Sequence, residues 1–312
     1  MRTQAMPGTA TDTSPSQERA VAKDWSVKRP IVVGVDDTKE AFPALKYAAE
    51  LSLLTGSRVH MVSALKPYRG IGSGSPGENR TTELRLELRE VFLEDLLPTV
   101  VAPPVWTRIA KIGDPADVLA SEARDVRAGL IILGAGRHGT VERILNRPTA
   151  MRVVQKVDVP IIVAPRGATP PRSAVVGVDF SPASLLACRA AAAMLGETGE
   201  LHLVYVESIV PVPGEIWSVD LSMVDISDTG ARLEEFQLDA NVPSGIRVER
   251  TVLKGDIAPA LERYAASVGA DLIAVGSHGY NFAQRAMLGS VSAALIARPT
   301  RAVLVATSGA RQ

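Results

Sequence analysis

The feature that most constrains this chain is that it repeats itself. Asp36 to Gly56 is 20 positions, and so is Asp179 to Gly199. Gly113 to Gly134 is 21, and so is Gly255 to Gly276. Asp36 to Gly134 is 98 positions against 97 from Asp179 to Gly276. Matched spacings over this length require two copies of one fold. At 312 residues there is material for two cores of ordinary size.

Within each copy, short apolar runs alternate with helical segments. In the first, Pro30 to Asp36 reads as a buried strand ending in an acid, followed by a helix from about Glu40 to Leu54. Strands at Val59 to Ala64, Trp106 to Ile112, Leu130 to Leu133 and Pro160 to Ala164 complete the unit, with a Leu-rich helix over Thr81 to Leu97. The second copy restarts at Ala174 to Asp179. This order predicts an α/β fold of two tandem open parallel-sheet, Rossmann-like domains with helices on both faces. The boundaries expected are a disordered tail over 1–28, a domain over 29–166, a Pro/Gly linker over 167–172 and a domain over 173–309.

Ligands of such sheets bind outside the strand carboxyl ends, where strand order reverses. The second copy places its richest sequence there. Val275-Gly276 ends a strand, Gly279 follows three positions after Gly276, and Gly289-Ser290 opens a helix ten positions later. Glycine amides and a hydroxyl at a helix N-terminus make an anion cradle. If the first and fourth strands are neighbours, Asp179 faces the same crevice from the other side.

These residues resemble the universal stress protein family in its tandem form, over residues 30 to 307. The nucleotide-binding members of that family carry Gly-x2-Gly-x9-Gly-Ser/Thr, which Gly276, Gly279, Gly289 and Ser290 match, and Asp179 matches the acid of the first strand. The resemblance implies an adenine-nucleotide-binding fold, ATP bound with Mg2+ carried on its phosphates, and a role in stress adaptation. It implies that Val178 and Asp179 meet the nucleoside, with Asp179 accepting from ribose hydroxyls, and that Val206 meets adenine through its backbone. The amides of Gly279, Gly289, Ser290 and Val291, with the Ser290 hydroxyl, then hold the phosphates beside Val275. For His278 nucleotide contact and loop packing both remain open.

The first copy departs from this pattern. Asp36 and Gly134 are retained, but one register puts Arg137, Arg147 and Pro148 on Gly279, Gly289 and Ser290. The other uses Gly136 and Gly139 and reaches Thr149 and Ala150. Neither restores Gly-Ser, and proline offers neither N–H nor hydroxyl. A weak or empty first site is expected, with Asp36 and Gly134 as its remaining contacts.

Other features exclude alternatives. Lys+Arg and Asp+Glu are equal at 34 each, which removes the charge footprint of a nucleic-acid binder. No apolar run reaches eighteen residues and no signal-peptide core is present, so neither membrane nor export is expected and a cytoplasmic setting fits. Cys188 reads as a small buried hydrophobe. Gly72 to Gly77 satisfies a dinucleotide fingerprint by letter but follows the wrong strand, and reads as a surface loop. His60 and His202 occupy equivalent strand positions and read as structural. With no evident base or lysine over the cradle, a regulatory module is expected. A slow ATPase or phosphotransfer enzyme of the same fold, using Asp256 or His278 as base, and a nucleotide-independent interaction scaffold, are the alternatives. The resemblance also implies self-association through last strands: Pro160 to Ala164 and Ala302 to Ala306 pairing within the chain, with homodimerisation beyond it.

Overall fold

The structure, a computed structural model, describes residues 26–37, 41–67, 76–96, 106–136, 149–208, 226–277 and 288–307. The first half runs β1 (Ile31–Gly34), α1 (Ala41–Thr55), β2 (Val59–Leu65), α2 (Pro76–Leu96), β3 (Trp106–Ile112), α3 (Pro115–Asp125), β4 (Leu130–Gly134), α4 (Thr149–Val154) and β5 (Ile161–Ala164). The second runs β6 (Ser173–Val178), α5 (Pro182–Leu195), β7 (Glu200–Glu207), α6 (Ile226–Ala240), β8 (Arg247–Lys254), α7 (Ile257–Ser267), β9 (Leu272–Gly276), α8 (Ser290–Ala297) and β10 (Ala302–Ala306).

All ten strands form one sheet in the order β3-β2-β1-β4-β5-β10-β9-β6-β7-β8. Pairing is parallel within each half and antiparallel where β5 meets β10. The composition of each strand follows its place. Central β1, β4 and β9 are Val, Ile, Leu, Ala and a terminal Gly, buried on both faces by helices. Edge strands carry charge instead, Arg108 and Lys111 on β3 and Arg247, Glu249, Arg250 and Lys254 on β8, which blunts them against further pairing.

One core lies under α1, α2, α5 and α6 and includes Leu45, Leu93, Leu186 and Phe236. The other lies under α3, α4, α7 and α8 and includes Leu119, Val153, Leu261 and Ile296. Each continues through the junction, Ile162 and Leu304 in the first and Val163 and Val303 in the second. The expected pairing of last strands within the chain is present: Val303 opposes Val163, Leu304 opposes Ile162 and Val305 opposes Ile161. Ile162 and Leu304 hold corresponding places in the two copies, so a pseudo-two-fold axis passes between them. Because β5 and β10 are antiparallel, the strand carboxyl ends of the two halves open at opposite edges of the sheet.

Two sequence expectations shift. The Leu-rich helix starts at Pro76 rather than Thr81, because proline suits the first turn and its missing N–H is not needed there. Gly77 of the apparent dinucleotide fingerprint therefore lies in a helix, while Gly72 to Ser75 fall outside the described residues. Most of the expected tail, residues 1–25, also falls outside them.

Candidate functional site

In the second half the chain passes from β6 outward to β7 and β8, then crosses back to β9, so the order reverses between β6 and β9. Their register pairs Val176 with Ala274, which sets Gly276 beside Val178 and Asp179 one residue further on, at the carboxyl ends of neighbouring strands. Val178 and Val275 are buried just beneath them. Pairing of β6 with β7 ends at Val178 and Tyr205, so Val206 is the first β7 residue past the end of β6.

Asp179 does not cap the following helix. Ser181 does, its hydroxyl accepting from the Ser184 amide at 3.1 Å, with Pro182 at the first helical position. One Asp179 oxygen, Oδ1, accepts from the Ser181 amide at 3.0 Å. That bond fixes the carboxylate at the mouth of the crevice and leaves its other oxygen without a partner among the described residues. Between the two sits Phe180 with φ of 61°, a left-handed conformation rare for a bulky residue. Its ring lies 5.4 Å from that of Tyr205 and 6.1 Å from that of Phe236, and the Arg232 guanidinium stands 4.0 Å over it. Strain of this kind persists only where surrounding packing fixes it. No motif marks Phe180 or Arg232 in the sequence.

The phosphate side is narrower than the motif suggests. A Cβ on Gly276 would stand 2.9 Å from the Ala183 Cβ and 3.0 Å from the Ser184 nitrogen, so this glycine lets the start of α5 pack against the end of β9. Ser277 donates its amide to the Ala306 carbonyl at 2.7 Å. The Gly289 amide, expected to hold phosphate, instead donates to the Ser277 carbonyl at 2.8 Å, since the loop base must close there. The buried Ser292 hydroxyl donates to that same carbonyl at 3.2 Å. The α8 N-terminus carries no side-chain cap. Its first amides, on exposed Ser290 and half-buried Val291, have no acceptor among the described residues. His278 and Gly279 lie outside the described residues.

The first half repeats the frame. Asp36 lies two residues past β1 and Gly134 ends the neighbouring β4, and the Ala135 amide donates to the Ala164 carbonyl as Ser277 does to Ala306. Its last helix, α4, is described over Thr149–Val154, where α8 is described over Ser290–Ala297. Arg137, Gly139, Arg147 and Pro148 lie outside the described residues. Arg152 of α4 pairs with Asp114, which caps α3 by accepting from the Ala116 amide at 3.0 Å. Burial alone would raise the Asp114 pKa, but Arg152 and the amides of Ala116 and Asp117 outweigh it and hold the carboxyl below its usual range. In the second half the position of Arg152 is Ala294, and Asp256 at the start of α7 makes no side-chain cap. Asp256 follows edge strand β8, two strands from β6, or about 10 Å at ordinary strand spacing.

Other candidates lie elsewhere. His202 and Tyr264 are 3.2 Å apart and His60 is 3.5 Å from buried Glu122, both toward the amino ends of their strands. Burial raises the Cys188 thiol to about 12, as an inert core residue requires. A cavity lined by Arg166, Gly167, Asp271 and Arg301 opens at the amino ends of β9 and β10, away from the crevice. Among the described residues no group of three His, Cys, Asp or Glu is placed to hold a metal, and no helix is long and apolar enough to cross a membrane.

The universal stress protein family model matches the chain twice, over residues 28–165 and 171–307. A universal stress protein from Archaeoglobus fulgidus DSM 4304 superposes with a TM-score of 0.64 at 17% identity, covering 90% of this chain and 99% of that one. A protein from Pseudomonas aeruginosa UCBPP-PA14 gives 0.56 at 18% identity, covering 92% and 95%. A functionally unknown protein from Pseudomonas aeruginosa PAO1 gives 0.53 at 18%, covering 93% and 94%. At these identities the likeness is one of fold. No curated protein matches the chain.

Proposed function

The chain belongs to the universal stress protein family, and on that premise we propose that its second half is an ATP-binding regulatory module in stress adaptation. The observation that carries this is that Asp179 and the uncapped α8 start, tied to the end of β9 by the Gly289–Ser277 hydrogen bond, lie at the carboxyl ends of neighbouring strands. A carboxylate suits ribose hydroxyls, and free helix-start amides suit phosphate. Val206, just past the end of β6, offers its backbone to the base. In this reading Mg2+ would be carried on the phosphates of the bound nucleotide.

In this reading residues 29–166 form a companion domain with a degenerate phosphate loop. In the register that aligns Pro148 with Ser290, the proline has neither an amide N–H nor a hydroxyl to offer a triphosphate. Hydrolysis is slow at most in this reading, because the sequence offers no evident base or lysine over the cradle. Native purification followed by nucleotide extraction and mass spectrometry tests the assignment. One ATP per chain is expected; two per chain would restore the first site, and none, with no rise in melting temperature on adding ATP, would favour a nucleotide-independent scaffold.

A further inference from the structure

The two halves use the same helix differently on its outer face. Arg89 of α2 reaches Asp37, and Arg232 of α6 stacks on Phe180; Asp37 and Phe180 each follow a strand-end acid. Leu93 and Phe236, four positions further on, are both buried. This sets the correspondence between the helices. Leu84, Leu88 and Val91 then match Ser227, Ala231 and Glu234.

In α2 those three are 52%, 61% and 56% exposed, and their i, i+4, i+7 spacing lines them up as one stripe. At the end of α1, Leu53 and Leu54 are also exposed, where the second copy has Gly196 and Glu197. Among the described residues, six of the seven exposed large hydrophobics lie in the first half, on α1 and α2. The fold does not need them, since the sister helix does without. Exposed apolar stripes of this kind mark contact surfaces.

Charge decides what fits. At 100° per residue, Glu83, Glu87, Glu90 and Glu94 form a row along one flank of the stripe, all exposed. Glu94 is paired with Arg108 at 3.2 Å, while no ion pair engages Glu83, Glu87 or Glu90 among the described residues. Two copies of α2 packed antiparallel would set these glutamate rows against each other, which disfavours self-pairing. We infer that the outer face of α2 docks a protein partner presenting an amphipathic helix with an apolar stripe and a lysine or arginine row beside it.

The test uses the full chain and a synthetic peptide the length of α2, with leucines at i, i+4 and i+7 and lysines along one flank. The comparison peptide carries glutamates in place of the lysines. The lysine peptide is expected to bind, and the glutamate peptide not. Leu88→Glu should abolish binding, and the combined Glu83→Gln, Glu87→Gln and Glu90→Gln variant should weaken it about tenfold and reduce its salt dependence. All these side chains are exposed, so melting temperature and nucleotide content should stay unchanged. Equal binding of both peptides, no binding of either, or affinity unaffected by Leu88→Glu would overturn the inference. So would a chain that is dimeric by light scattering and becomes monomeric on Leu88→Glu, which would make the face a self-interface.

Discussion

At the scale of single residues, the crevice depends on two positions whose reasons differ from what their letters suggest. Gly276 belongs to a phosphate motif, yet its missing Cβ makes room for Ala183 and Ser184 of α5. Gly276→Ala must therefore push a helix off a strand end, and a loss of about 1–3 kcal/mol is expected. A urea midpoint in nucleotide-free protein equal to that of the parent would contradict this. Phe180 combines a left-handed backbone with a ring packed on Tyr205, Phe236 and Arg232. Both Phe180→Ala and Phe180→Gly lose the ring, but only glycine relaxes the backbone. Phe180→Gly should be the more stable of the two by about 1 kcal/mol, the reverse of the order at ordinary positions. Asp179 was legible from its place at a strand end. Phe180 was not, because a positive φ at a non-glycine residue has no signature in the letters around it.

Among the elements, the start of α8 separates binding from stability. Proline is well tolerated at a first helical position, so Ser290→Pro, copying Pro148, should leave the melting temperature of the nucleotide-free protein within about 2 °C. The same change removes an amide and a hydroxyl, and ATP affinity should fall at least about tenfold. Calorimetric titration beside a melting scan checks both; unchanged affinity would place the phosphates elsewhere. The start of α3 gives a pH prediction. Asp114 is held below its usual range by Arg152 and two amides, so its stabilisation is present above the ordinary carboxylate range and is lost as pH falls through its lowered value. Arg152→Gln should move the acid limb of a stability–pH curve to higher pH, and an unmoved limb would show the pair to be idle. Elements of this kind were largely readable: β3 and β10 fall at Trp106–Ile112 and Ala302–Ala306, the spans expected from the sequence. The Gly289 amide was misread, because a motif names glycines without saying which carbonyl each amide meets.

At the scale of the whole molecule, both cores cross the junction between β5 and β10. Heat should therefore unfold the chain in one transition, with calorimetric and van't Hoff enthalpies agreeing; two resolved peaks would mean the halves melt separately. The repeat was visible in the spacing of Asp36, Gly134, Asp179 and Gly276, whereas the outer face of α2 emerged only when exposures in the two halves were compared. The junction has a further consequence. Where two identical chains meet about a true axis, every substitution is inherited twice, once on each side. Here Ile162 meets Leu304 across a pseudo-axis inside a single chain, so each change is inherited once. Pro148 could replace a serine at one end while Ser290 stayed at the other, and Leu88 could appear with no twin. The covalent link thus releases the two halves from evolving in step, and their divergence is the freedom that a symmetric pair lacks.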